Sequence, residues 1–138
     1  MVTTTKTEKQ TISLGRRIGK ALNGGEILLL EGELGAGKTT LVKGVAQSLG
    51  VKHPITSPTF LMLKHYEGKD GMTFVHIDGY RLKHSVDSTT VGIHEYLGKP
   101  DTVCVIEWPK RIMLPKRLKN IRTISMHHGN NQTRRITY

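Results

Sequence analysis

The chain has 138 residues, 36% hydrophobic and 23% charged, a composition that excludes disordered and fibrous classes and suits one compact domain over residues 1–138. Its formal net charge of +10 favours polyanionic partners through phosphate attraction and counterion release, and is silent about fold. The start MVTTTKTEKQ has no apolar stretch behind a basic flank, and no apolar run approaches the roughly 20 residues of a membrane span, so a cytoplasmic protein without a membrane partner is expected.

Thr11 is read as the cap of a first helix, whose apolar residues Leu14, Ile18, Ala21 and Leu22 recur at helical spacing until Asn23-Gly24-Gly25 stops it. Within Glu26 to Glu31, the continuous apolar run Ile27-Leu28-Leu29-Leu30 predicts a strand buried on both faces. A glycine-rich loop follows at once. From Lys38 to Leu49, the positions Leu41, Val42, Val45, Ala46 and Leu49 form a helical stripe that ends at Gly50.

Leu61 to Tyr66 and Thr73 to Asp78 read as a hairpin around Glu67-Gly68-Lys69-Asp70-Gly71. Leu82 to Leu97 is ambiguous, with a helix expected near its end. Val103 to Glu107 is another buried strand, and its Cys104, the one cysteine, reads as a buried, inert thiol. Ile121 to His127 should pair with Thr133 to Tyr138 across Gly129-Asn130-Asn131. These elements predict an α/β fold, a three-layer P-loop NTPase-like sandwich with a mixed, partly parallel sheet and helices on its faces.

Gly32, four residues, then Gly37-Lys38-Thr39 satisfies the P-loop pattern between a strand and a helix, the context that such a motif requires. Its backbone N–H groups, at Gly35, Ala36 and Gly37 among others, converge on phosphate oxygens at a helix N-terminus. Lys38 should reach the β- and γ-phosphates, the Thr39 hydroxyl should coordinate magnesium, and Thr40 can donate to the α-phosphate. A triphosphate site needs an acidic residue at a neighbouring strand end, and Asp78 and Glu107 are the two candidates. Either could instead be a turn or cap residue. The loop Ile55-Thr56-Ser57-Pro58-Thr59-Phe60 is read either as a sensor of the γ-phosphate or as a plain turn. The histidines show no metal-ligand spacing, His127-His128 reads as solvated, and Trp108 reads on base rate as a packing aromatic.

In order and spacing, GELGAGKTTLVKG, ITSPTF, HIDGYRL and VIEWPKR followed by LP resemble the TsaE (YjeE) family, the bacterial ATPases that take part in making threonylcarbamoyladenosine in tRNA. The resemblance runs from Thr11 to Arg134-Arg135-Ile136. It implies binding of ATP and Mg2+, slow hydrolysis by the protein alone, and work with the TsaD and TsaB proteins, with tRNA met directly or through that complex. By position it assigns Lys38, Thr39 and Thr40 to phosphate and metal, Asp78 to the family's strand-end aspartate, and Glu107 with Trp108 to its Glu-Trp pair. Thr11 falls near where the family contacts the nucleotide base. Gly79 stands where the family usually has leucine or a similar residue, and Lys83 to Thr89 is poor in acidic residues, which bears on partner docking.

Two alternatives remain at this stage. A small-molecule P-loop kinase needs an acceptor pocket and a lid, for which little length is left. An RNA-binding module would rest on the basic residues that gather from Lys110 to Arg135, among which no aromatics interleave to stack bases.

Overall fold

The computed structural model describes residues 1–58, 62–87 and 92–138. In chain order the described elements are β1 (Val2–Thr5), α1 (Glu8–Lys20), β2 (Ile27–Glu31), α2 (Lys38–Ser48), β3 (Leu63–Glu67), β4 (Thr73–Asp78), β5 (Val86–Asp87), β6 (Thr102–Glu107), β7 (Ile112–Met113), β8 (Ile121–His128) and β9 (Arg134–Thr137). Seven strands form one sheet in the order β1-β9-β8-β2-β6-β4-β3, and β5 and β7 make a short parallel pair.

The four central strands, β8, β2, β6 and β4, run parallel, and both edges are closed by antiparallel partners. That arrangement explains the apolar runs. Every residue of β6 is buried, as a strand needs when both of its faces are covered. Val103 and Val105 face the helices, whereas Cys104 and Ile106 face the opposite side. Burial pushes the Cys104 thiol up to about 12, so it stays protonated and inert, as expected.

The mixed sheet and its covered faces match expectation, but both helices lie on one face. α1 and α2 pack there with Leu28, Leu30, Phe74, Ile124 and Met126. The other face is covered by turns that carry Ile93 and Leu97, together with Ile112, Leu114 and Leu118. α1 and α2 meet at Gly15 and Gly44, where a Cβ on Gly44 would overlap the Ile12 carbonyl and lie 2.9 Å from Gly15 Cα. No helix among the described residues is long and apolar enough to cross a membrane.

Two expectations are corrected: the cap of α1 and a helix before Gly98. Thr7, not Thr11, caps α1: its hydroxyl accepts from the Gln10 N–H at 3.1 Å, while Thr11 is buried within the first turn. The start, for which no element was expected, adds a strand. Val2–Thr5 is an edge strand on β9, and the Met1 ammonium donates to the Tyr138 carbonyl. The helix expected near the end of 82–97 is absent among the described residues: 92–98 turns back with a Tyr96 N–H to Ile93 carbonyl bond. The first hairpin strand is described over Leu63–Glu67, and Leu61, its expected start, lies outside the described residues together with Thr59 and Phe60 of the proposed sensor loop.

Candidate phosphate-binding site

The parallel core aims β2, β6 and β4 at one edge of the sheet, where α/β folds collect their ligands. The loop Gly32 to Thr39 leaves β2 there, Glu107 ends β6 and Asp78 ends β4, with Asp78 and Glu107 opposite each other in register. Gly37 holds φ +93° at the cap of α2, a left-handed conformation that glycine takes without strain. No side chain caps this helix, so its first N–H groups remain available to an anion. Gly32 runs close under β8, where a Cβ would lie 2.5 Å from the Met126 carbonyl oxygen. The loop is further tied to β8 through Glu33, whose carboxylate accepts the His128 N–H at 3.0 Å and sits 3.7 Å from His127 Nδ1. Those contacts, led by the His128 N–H, hold Glu33 below its ordinary value.

Lys38 is 6% exposed. Its ammonium donates to the Gly32 carbonyl at 2.7 Å and lies 3.9 Å from the centre of the Trp108 ring. Burial lowers its pKa, and the negative charges of Glu107, Asp78 and Glu33 offset part of that effect. Trp108 therefore does more than fill space. It has φ +57°, rests against Tyr80 with ring centres 5.3 Å apart, and roofs the lysine.

Asp78 accepts from the Tyr80 N–H at 2.9 Å and from the Ser57 hydroxyl at 3.3 Å. The Ser57 bond joins the described part of the ITSPTF loop to this edge. Glu107 is paired with His76, Nε2 to Oε2 at 2.5 Å, inside the sheet. Gly79 fits its place because a Cβ there would come within 3.0 Å of the Trp108 carbonyl oxygen.

These groups surround a cleft of about 430 Å³ lined by Gly35, Gly37, Lys38, Thr39, Thr40, Ser57, Asp78, Glu107, Trp108 and Arg134 among others. Ala36, expected to offer its N–H to phosphate, is instead fully buried beneath the loop, where that N–H donates to the Glu33 carbonyl at 3.1 Å. A second cleft of about 450 Å³ shares Gly37, Thr40 and Arg134, and is completed by Lys6, Thr7, Glu8, Thr11 and Gln132. Thr11 thus lies at the end away from the carboxylates, with its hydroxyl engaged by Thr5 Oγ1 at 2.8 Å.

Sequence reasoning passed over His76, Tyr80 and Arg134 as parts of the site. Alternation in β4 puts His76 on the same face as Asp78, a signal present in HIDGYRL. Arg134 comes near Gly37 only through the pairing of β9 with β8, which no local pattern foretells.

The sequence profile of the family described as "Threonylcarbamoyl adenosine biosynthesis protein TsaE" matches residues 5–136. The chain belongs to the TsaE family. The protein named TsaE of Treponema pallidum is 37% identical over 129 residues, covering 92% of this chain and 93% of the relative. That of Streptomyces coelicolor is 44% identical over 96 residues, and there the match spans 69% of this chain and 64% of the relative. The crystal structure of Bacillus subtilis YdiB superposes with a TM-score of 0.75 at 26% identity, over 99% of this chain and 82% of that one. Membership in the TsaE family agrees with the ordered motifs from which the resemblance was drawn.

Proposed function

We propose that this TsaE-family chain binds ATP with Mg2+ in the paired clefts and hydrolyses it, serving as a partner-dependent switch in the formation of threonylcarbamoyladenosine in tRNA. One observation carries the nucleotide reading: a P-loop lysine and two strand-end carboxylates, exposed by only 6%, 5% and 3%, converge on one cleft. Backbone N–H groups and Lys38 take the β- and γ-phosphates, Thr40 the α-phosphate, and the second cleft with Thr11 and Arg134 the rest of the nucleotide.

The donor set fits magnesium. Thr39 offers a hydroxyl and Asp78 and Glu107 offer carboxylates, all hard oxygen ligands. No group of three or more His, Cys, Asp or Glu able to cage a metal occurs among the described residues, which suits an ion that keeps waters and takes phosphate oxygens. When bound, the ion would neutralise charge on the transferring phosphoryl group. Lys38 adds positive charge, and Asp78 or Glu107 orients the attacking water.

The role in tRNA modification draws its support from the family, and the TsaD and TsaB proteins are the partners it implies. ATP turnover measured with and without them tests the switch, with stimulation expected. Turnover that stays unchanged on adding both refutes the switch, and absence of ATP binding by calorimetry refutes the site.

A further inference from the structure

His76 is fully buried, one pleat below Asp78 on β4, and is opposite Val105 in the neighbouring strand. Its Nε2 meets Glu107 Oε2 at 2.5 Å, and its Nδ1 has no partner among the described residues. A residue needed only for packing here would be aliphatic, like Val103 and Val105 on the same face of the neighbouring strand; an imidazole with one unmatched nitrogen is a costly filler. An ionised carboxylate can only accept, so Nε2 carries the proton and donates.

We propose that His76 is a positioning residue for Glu107. The bond from His76 holds Oε2 and leaves Oε1 as the oxygen free for the metal or the attacking water in the cleft that Glu107 lines. Outer hydrogen bonds orient metal and catalytic carboxylates in this way. This inference rests on the reading of Glu107 as a residue of the ATP site.

The test uses the whole chain and three substitutions. His76→Gln puts an amide donor about where Nε2 lies, His76→Leu removes the donor at similar bulk, and His76→Asn places its donor short of Glu107. Three quantities are read: affinity for a non-hydrolysable ATP analogue by calorimetry, the Mg2+ concentration at half-saturation from the fluorescence of Trp108, the one tryptophan, and kcat with the partner proteins. The Leu and Asn variants should lower kcat and Mg2+ affinity about 10–100-fold while analogue affinity measured without metal holds, and Gln should restore most of both. A Leu or Asn variant with wild-type kcat and Mg2+ half-saturation overturns the proposal. So does a loss of analogue affinity that tracks the fall in melting temperature across all three variants, which marks a merely structural histidine. Should the Leu variant not fold, the Asn and Gln pair decides. A wild-type chain that binds no analogue would instead remove the nucleotide site itself.

Discussion

The contact of Gly15 with Gly44 allows a quantitative test of how α2, and with it the phosphate loop, is seated. In Gly44→Ala the new Cβ overlaps the Ile12 carbonyl and lies 2.9 Å from both Arg16 N and Gly15 Cα. These are backbone atoms, which no rotamer change removes, so the helices must part by about 1 Å to regain ordinary contact. Overpacking of this kind costs about 1–3 kcal/mol. The better helix propensity of alanine returns up to about 1 kcal/mol, leaving a net loss within about 0–3 kcal/mol and centred on about 1–2 kcal/mol. At roughly 3–5 °C per kcal/mol for a chain of this size, the melting temperature should fall by about 3–10 °C. Thermal unfolding followed by circular dichroism reads it, with the exposed Ser13→Ala on α1 as the control. A Gly44→Ala variant that melts with or above the wild type would show that propensity wins and that the helices are not in close contact there.

Lys38→Ala should reduce affinity for ATP by about 100-fold or more, the loss of one or two charge-assisted bonds; calorimetry that finds unchanged affinity refutes its place in the cradle. Glu107→Gln should leave the dissociation constant nearly constant and lower kcat by about 100-fold or more, a split that steady-state kinetics with the partner proteins would expose. Arg134→Ala should weaken ATP by about tenfold, since the guanidinium borders both clefts, and should flatten the salt dependence of binding; equal affinity at every ionic strength would remove Arg134 from the site. Burial depresses Lys38 below its ordinary 10.5, so between the folded value and 10.5 the unfolded chain binds more protons at this group. Its destabilising effect is therefore full below that window and relieved as pH rises through it. The urea midpoint of the wild type relative to Lys38→Met should rise as pH approaches 10.5; a constant difference refutes this.

The central strands and the loop were legible because their patterns are local. Ile27-Leu28-Leu29-Leu30 has the pattern of a strand covered on both faces, and GELGAGKTT has the spacing of a P-loop between a strand and a helix. Strand ends then gave Asp78 and Glu107 their place, because parallel strands deliver their last residues to one edge. What local pattern does not hold is pairing at a distance. Val2–Thr5 is polar and short, and becomes a strand only because β9 offers it an edge. Arg134 read as one more basic residue until the β8–β9 hairpin folded it over Gly37. A helix was expected near the end of the segment 82–97, but Ile93 and Leu97 serve the sheet face just as well from turns. Thr11 had the chemistry of a cap, but it is buried inside the first turn and Thr7, four residues earlier, took that place.

The wall beside the phosphate loop is assembled from both extremities of the fold: Lys6, Thr7, Glu8 and Thr11 on one side, Gln132 and Arg134 on the other. β2, the loop and α2 are complete in sequence by Gly50, yet that wall does not exist until β9 has docked between β1 and β8. A chain caught midway in folding would carry a bare anion loop with nothing to grip the remainder of a nucleotide. Tight recognition is thereby withheld from partly folded forms, and a ligand spanning both clefts would act as a noncovalent clasp on the edge pair β1 and β9.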